Sequence, residues 1–137
     1  MKRIVAIDFG LKRIGIAISD ERKTIAFPLA TVAGGKDAIA NVQKALREKG
    51  APVELILIGL PVMLNGQEGD MVPLVKKFAE ELHLALQIPI EWIDERFTSK
   101  LADQSLKKMD LNRKDRTAKL DTVAATILLQ TYLDRKS

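Results

Sequence analysis

Hydrophobic positions along this chain change their period once, just past residue 35. Before that point they come in short runs rich in β-branched side chains. Residues 3–7 form such a run, stopped by Asp8, and predict a buried strand. Residues 9–13 read as a turn, and residues 14–19, Ile-Gly-Ile-Ala-Ile-Ser, as a second strand. The short connection suits a hairpin, so these strands should be antiparallel. After the polar turn at 20–23, residues 24–31 predict a third strand, in which Pro28 marks an edge or a bulge.

The period then lengthens. Over residues 37–49, Ile39, Val42, Ala45 and Leu46 recur at helical spacing, and Gly50 closes the segment. Residues 53–58 are an apolar run of the kind that marks a central parallel strand covered on both faces. A long polar loop, 59–69, follows. Leu74, Phe78, Leu82 and Leu86 space a second helix, and residues 90–93 predict a fifth strand with Trp92 in the core. Thr98 can cap a third helix running to about Lys108. A basic loop comes next. Leu120, Val123, Ala124, Ile127, Leu128 and Thr131 then lay a stripe on a last helix. The order β-β-β-α-β-α-β-α-α predicts an α/β fold: a five-stranded mixed sheet with helices on both faces. Any active site belongs at the carboxyl ends of its parallel strands.

Length and composition narrow the classes. At 137 residues the chain fits one domain, 1–137, and is too short for a two-lobed enzyme that closes on a nucleotide. It has no cysteine, which excludes a disulfide scaffold, a thiolate metal site and a cysteine nucleophile, and fits a cytoplasmic location. No apolar run approaches the roughly 18–20 residues of a membrane helix. The net charge is +4. Residues 107–119 hold Lys107, Lys108, Arg113, Lys114, Arg116 and Lys119 against Asp110 and Asp115, so this segment carries the whole excess. It is either a solvated surface or a phosphate-binding patch.

Three acidic positions carry candidate chemistry. Asp8 ends the first strand, Asp94 and Glu95 end the fifth, and Asp121 lies early in the last helix. Strands one and five point to the same sheet edge, and the last helix can pack across it. Three carboxylates gathered there would repel one another and need a cation between them. Oxygen-only donors select a hard ion such as Mg²⁺ or Mn²⁺. Each acid also has a plainer use: Asp8 as a turn former, the Asp94-Glu95 pair in capping and salt bridging, Asp121 as a solvated partner of Lys119. His83 stands alone as the single histidine, and reads as a partly exposed helix residue. Ala124 and Ala125 read as packing residues that let the last helix lie close to the sheet.

These residues fall into a recognisable series. Residues 8–20, Asp-Phe-Gly-Leu-Lys-Arg-Ile-Gly-Ile-Ala-Ile-Ser-Asp, are followed by Gly59-Leu60-Pro61 with Asn65-Gly66. Then come Asp94-Glu95-Arg96-Phe97-Thr98-Ser99 and Lys119-Leu120-Asp121 with Ala124-Ala125 and Leu128-Leu129-Gln130. In order and spacing, over nearly the whole chain, the series resembles the YqgF/RuvX family. The resemblance implies an RNase H-like fold and a hydrolase, a metal-dependent endonuclease that matures the 5′ end of pre-16S rRNA in ribosome biogenesis. An alternative it also implies is a Holliday junction resolvase acting on branched DNA. Position by position, it assigns Asp8, Glu95 and Asp121 as metal ligands and catalytic acids. Ala124 stands where a fourth acid would be sought.

Lys12, Arg13, Arg96, Lys100, Arg113, Lys114, Arg116 and Lys119 are the candidate phosphate contacts, with solvated surface as the other reading of each. Expected partners are nucleic acid and ribosomal particles, no membrane, and the chain as a monomer or weak homodimer. With aromatics at 4% of residues, no stacking platform for bases is evident. Two readings remain from other classes. Asp8-Phe9-Gly10 with Gly15 and Ser19 also resembles the first phosphate loop of actin-like and sugar-kinase ATPases, which need a second domain that this length does not supply. A non-catalytic nucleic-acid-binding module is the other.

Overall fold

The computed structural model describes residues 2–60, 71–94 and 113–136, the stretch 113–121 and Lys136 by their helical backbone alone. Five strands form one sheet: β1 (Arg3–Asp8), β2 (Arg13–Ser19), β3 (Ala26–Ala33), β4 (Val53–Leu60) and β5 (Ile90–Asp94). Their spatial order is β3-β2-β1-β4-β5. The pairs β1–β2 and β2–β3 are antiparallel, and β1–β4 and β4–β5 parallel. This is the mixed sheet the sequence predicts. Helices α1 (Ala38–Lys49) and α2 (Val72–Leu86) cover one face, and α3 (Arg113–Lys136) the other. The third helix predicted over 98–108 lies outside the described residues.

Alternation along β1 divides the core in two. Val5 and Ile7 join Ile14, Ile16, Ile18, Ile56 and Ile58 beneath α1 and α2, against Val42, Phe78 and Leu82. Ile4 and Ala6 join Ala17, Leu57 and Ile93 beneath α3, against Ala125, Leu128, Leu129 and Leu133. The α3 side is lined with alanines, which lets the helix axis come close. Fully burying Leu128 and Leu129 contributes about 2 kcal/mol each. Helix α1 ends as expected at Gly50, whose φ of 71° is left-handed and whose N–H donates to Leu46 O at 3.2 Å.

Several expectations need correction. The third strand starts at Ala26 rather than 24, because Asp20 binds the Thr24 and Ile25 amides and holds them in a turn. Pro28 does sit on an edge strand, beside a register shift. On α2 the buried face is Val72, Val75, Phe78, Ala79 and Leu82, and Leu74 is exposed, because the helix begins earlier and its stripe is rotated. On α3 the buried stripe runs through Ala124, Ala125, Leu128, Leu129 and Leu133, whereas Thr131 is exposed. The helix also begins at Arg113, so Arg113, Lys114, Arg116 and Lys119 ride on helical turns instead of a loop. Trp92 is not core: it is 41% exposed, because β5 is an edge strand that α2 does not fully cover.

Candidate functional site

The carboxyl ends of β1, β4 and β5 come level. Ile7 pairs with Ile58, Gly59 with Ile93 and Leu60 with Asp94. Asp8 therefore stands one step past the Ile7–Ile58 pair, beside Gly59, and about 10 Å from the end of β5 across the intervening strand. On its other side Asp8 pairs with Gly15, which in turn pairs with Thr31 of β3. Asp8 shares the parity of Ile4 and Ala6, so it belongs to the α3 face of the sheet. Both neighbours in its row are glycines, so the sheet presents no other side chain immediately beside the half-buried Asp8 on that face.

Helix α3 returns to this row. The Thr122 hydroxyl hydrogen-bonds the Thr31 hydroxyl, at the carboxyl edge. Two turns further on, Gln130 accepts from the Ala26 amide at 2.9 Å and donates to Thr24 O at 3.0 Å, near the opposite edge. The helix thus runs antiparallel to β1, with position 121 directly before the residue that reaches the Asp8 row. Asp121 also lies one turn before Ala125, which is fully buried against the sheet. The sequence reading missed Thr31 and Thr122. Their only signal is that Thr31 falls three residues past Pro28 on a strand whose partner is glycine.

Among the other predicted site residues, Asp94 ends β5 and is exposed. It shares the parity of Trp92, on the face opposite α3. Lys12 is exposed in the β1–β2 turn and Arg13 opens β2, so both lie at the same edge as Asp8. That turn is tightly built. A Cβ on Gly10 would stand 2.5 Å from Arg13 O, and one on Gly34 2.6 Å from Leu11 O. Gly10 therefore serves the chain's own turn. Glu95, Arg96 and Lys100 lie outside the described residues, and the basic residues of α3 are placed by backbone only. Among the described residues no three His, Cys, Asp or Glu side chains come together. His83 is exposed, as expected, and its ring Nδ1 meets Ile88 O at 2.9 Å.

Known proteins match this architecture along its length. The family model described as "RuvX: Holliday junction resolvase" matches residues 2–135. A protein of Protochlamydia amoebophila named "Putative pre-16S rRNA nuclease" is 44% identical, covering 98% of this chain and 94% of its own. Among solved structures, the Fowlpox virus resolvase with Holliday junction DNA superposes with a TM-score of 0.59 at 14% identity, over 98% of both chains. Thermus thermophilus RuvC, also with a Holliday junction substrate, gives 0.56 at 13%, over 99% of this chain and 96% of that one. The fold is RNase H-like, and by the family model and the identity to its relatives the chain belongs to the RuvX family.

Proposed function

We propose that this chain is a metal-dependent endonuclease that hydrolyses phosphodiester bonds in structured nucleic acid, with pre-16S rRNA as its substrate. The observation that supports this is that α3 runs antiparallel to β1 over the same sheet face and meets Thr31, in the row of Asp8, at Thr122, directly after position 121. Asp8, Glu95 and Asp121 are the proposed acids. Of the Asp94-Glu95 pair, Asp94 shares the face of Trp92, opposite α3, which leaves Glu95 as the proposed ligand. The donor set fits a hard cation: all oxygen, with Asp8 half-buried and flanked by glycines, in a setting where clustered carboxylates need a positive partner. When bound, such an ion, Mg²⁺ or Mn²⁺, supplies charge neutralisation and an activated water for in-line attack on phosphorus.

The chain's own residues do the rest. Asp8 and its partners fix where the scissile phosphate sits. Gly15 and Gly59, the strand neighbours of Asp8, add no side chain of their own to the approach of a nucleic-acid backbone. Lys12 and Arg13 in the hairpin turn, Arg96 and Lys100 after β5, and the basic turns of α3 hold flanking phosphates without reading sequence. The cytoplasm, one domain over 1–137 and contact with ribosomal particles accord with this reading.

The test is cleavage of a labelled RNA spanning the 16S 5′ precursor junction with Mn²⁺, beside a four-way DNA junction. Asp8→Asn, checked for folding, is expected to lower the rate about 1,000-fold or more. Full activity in that variant, or in excess chelator, overturns the reading. Cleavage of the DNA junction alone replaces the substrate.

A further inference from the structure

A cleft of about 360 Å³ opens between β5 and α2, on the sheet face opposite Asp8. Trp92 forms one wall and is 41% exposed. Ala79 and Ile90 give it a small apolar floor, and Lys76, Glu80 and His83 line it from α2. We infer that this cleft is a nucleobase-binding subsite, in which a base of a single-stranded segment flanking the cleaved bond stacks on Trp92. The inference rests on the nuclease reading and adds a recognition element to it.

Three features of the cleft select this occupant. The first is continuity with the catalytic edge. Trp92 lies two residues before Asp94, the carboxyl end of β5, or about 7 Å of extended strand, so a nucleic acid cut at that edge passes β5 with only a short flank. β5 is an edge strand, so the flank needs to cross no other strand to reach the indole. The second is the indole itself, a flat apolar surface that accepts the π-face of any base.

The third is the set of polar groups. His83 Nδ1 faces the Ile88 carbonyl, an acceptor only, so Nδ1 is the donor, and the tautomer with that one proton keeps its acceptor at Nε2. The Glu80 carboxylate is also an acceptor. Two acceptors suit a base edge that carries an exocyclic amine: adenine, cytosine or guanine. They suit uracil poorly, because its edge offers two carbonyls and a single N–H. The carboxylate also disfavours a phosphate inside the cleft, and so favours a base there with the backbone outside, where Lys76 adds positive charge.

Trp92 is the only tryptophan of the chain, so its emission reports on this site alone. The experiment uses the full chain carrying Asp8→Asn, to prevent cleavage, titrated with short single-stranded oligoribonucleotides and a blunt RNA duplex. Binding is followed independently by anisotropy of labelled RNA. Adenine- and cytosine-rich strands are expected to quench Trp92, and uracil-rich strands and the duplex to quench it little. Trp92→Ala should weaken binding of the quenching strands about 10-fold, and Trp92→Phe should retain most of it. Glu80→Gln with His83→Ala should level the base preference.

RNA binding by anisotropy with unchanged Trp92 emission overturns the subsite while leaving the nuclease reading intact. Equal affinity of Trp92→Ala for the same strands overturns it too. An emission shift that follows protein concentration without RNA overturns it in favour of a second copy on the β5 edge. Failure of the nuclease reading shows separately, as absence of metal-dependent cleavage by the parent chain.

Discussion

Single residues at the carboxyl edge of the sheet are fixed by backbone contacts that leave little freedom. Gly10 is the clearest: any Cβ there meets Arg13 O at 2.5 Å, a backbone atom that cannot step aside. Gly10→Ala is expected to cost about 1–3 kcal/mol, read as a lowered Tm, with the hairpin turn that carries Lys12 and Arg13 displaced. Asp20 acts in the same way on another turn. Hydrogen bonds from the Ile25 amide, then the Thr24 amide, hold its carboxyl below the ordinary carboxylate range. A depressed acid contributes stability above its unfolded pKa and loses it as pH falls through the folded one. The Tm difference between the parent and Asp20→Ala should therefore be present at neutral pH and shrink under acid conditions, below the usual Asp range. Asp8 itself was legible from sequence, because a lone carboxylate closing an apolar run can lie only at a strand end. Trp92 was not. A large apolar residue alternating on a strand reads as core, and only the edge position of β5, a property of sheet order, exposes it.

At the scale of elements, the site depends on how closely α3 lies on the sheet. Ala125 is fully buried there, against β1 and β2 alanines. Ala125→Leu should lift the helix, lowering stability by about 1–3 kcal/mol. Cleavage at a temperature where the variant is still folded should fall further than that loss explains, because the helix carries Asp121. Conserved cleavage in a folded Ala125→Leu protein would show that the spacing of α3 does not matter. All five strands and the direction of their pairing were readable, since the short hairpin connections and the helical crossovers dictate them. The stripes on α2 and α3 were placed correctly at Phe78, Leu82, Ala124 and Leu128 but wrongly at Leu74 and Thr131. Leu74 and Thr131 fit a helical spacing as well as Val75 and Leu133 do, and the choice between neighbouring stripes is made by the sheet beneath. The Thr31–Thr122 contact joins residues 91 apart, so no local pattern announces it.

For the whole molecule, charge and topology combine. Residues 107–119 carry the positive excess in sequence, and α3 reaches the carboxyl edge of the sheet at Thr122, just after them. RNA affinity should fall roughly 1,000-fold or more for a fourfold rise in salt. Replacing Lys114 and Arg116 by Gln should lower the slope of log affinity against log salt by about two, with base preference unchanged. An unaltered slope would place the phosphates elsewhere. The course of α3 also bears on how the protein is made. The helix follows all five strands in the sequence, and it covers the sheet face bearing Ile4, Ala6, Ala17 and Leu57. A growing chain can complete the five-stranded sheet and the α1–α2 layer, yet that face stays bare until α3 emerges. The proposed acids Asp8 and Asp121 stand far apart in the sequence, so a truncated copy left by a stalled ribosome would carry the first without the second. Such a fragment would be sticky but harmless to the RNA around it.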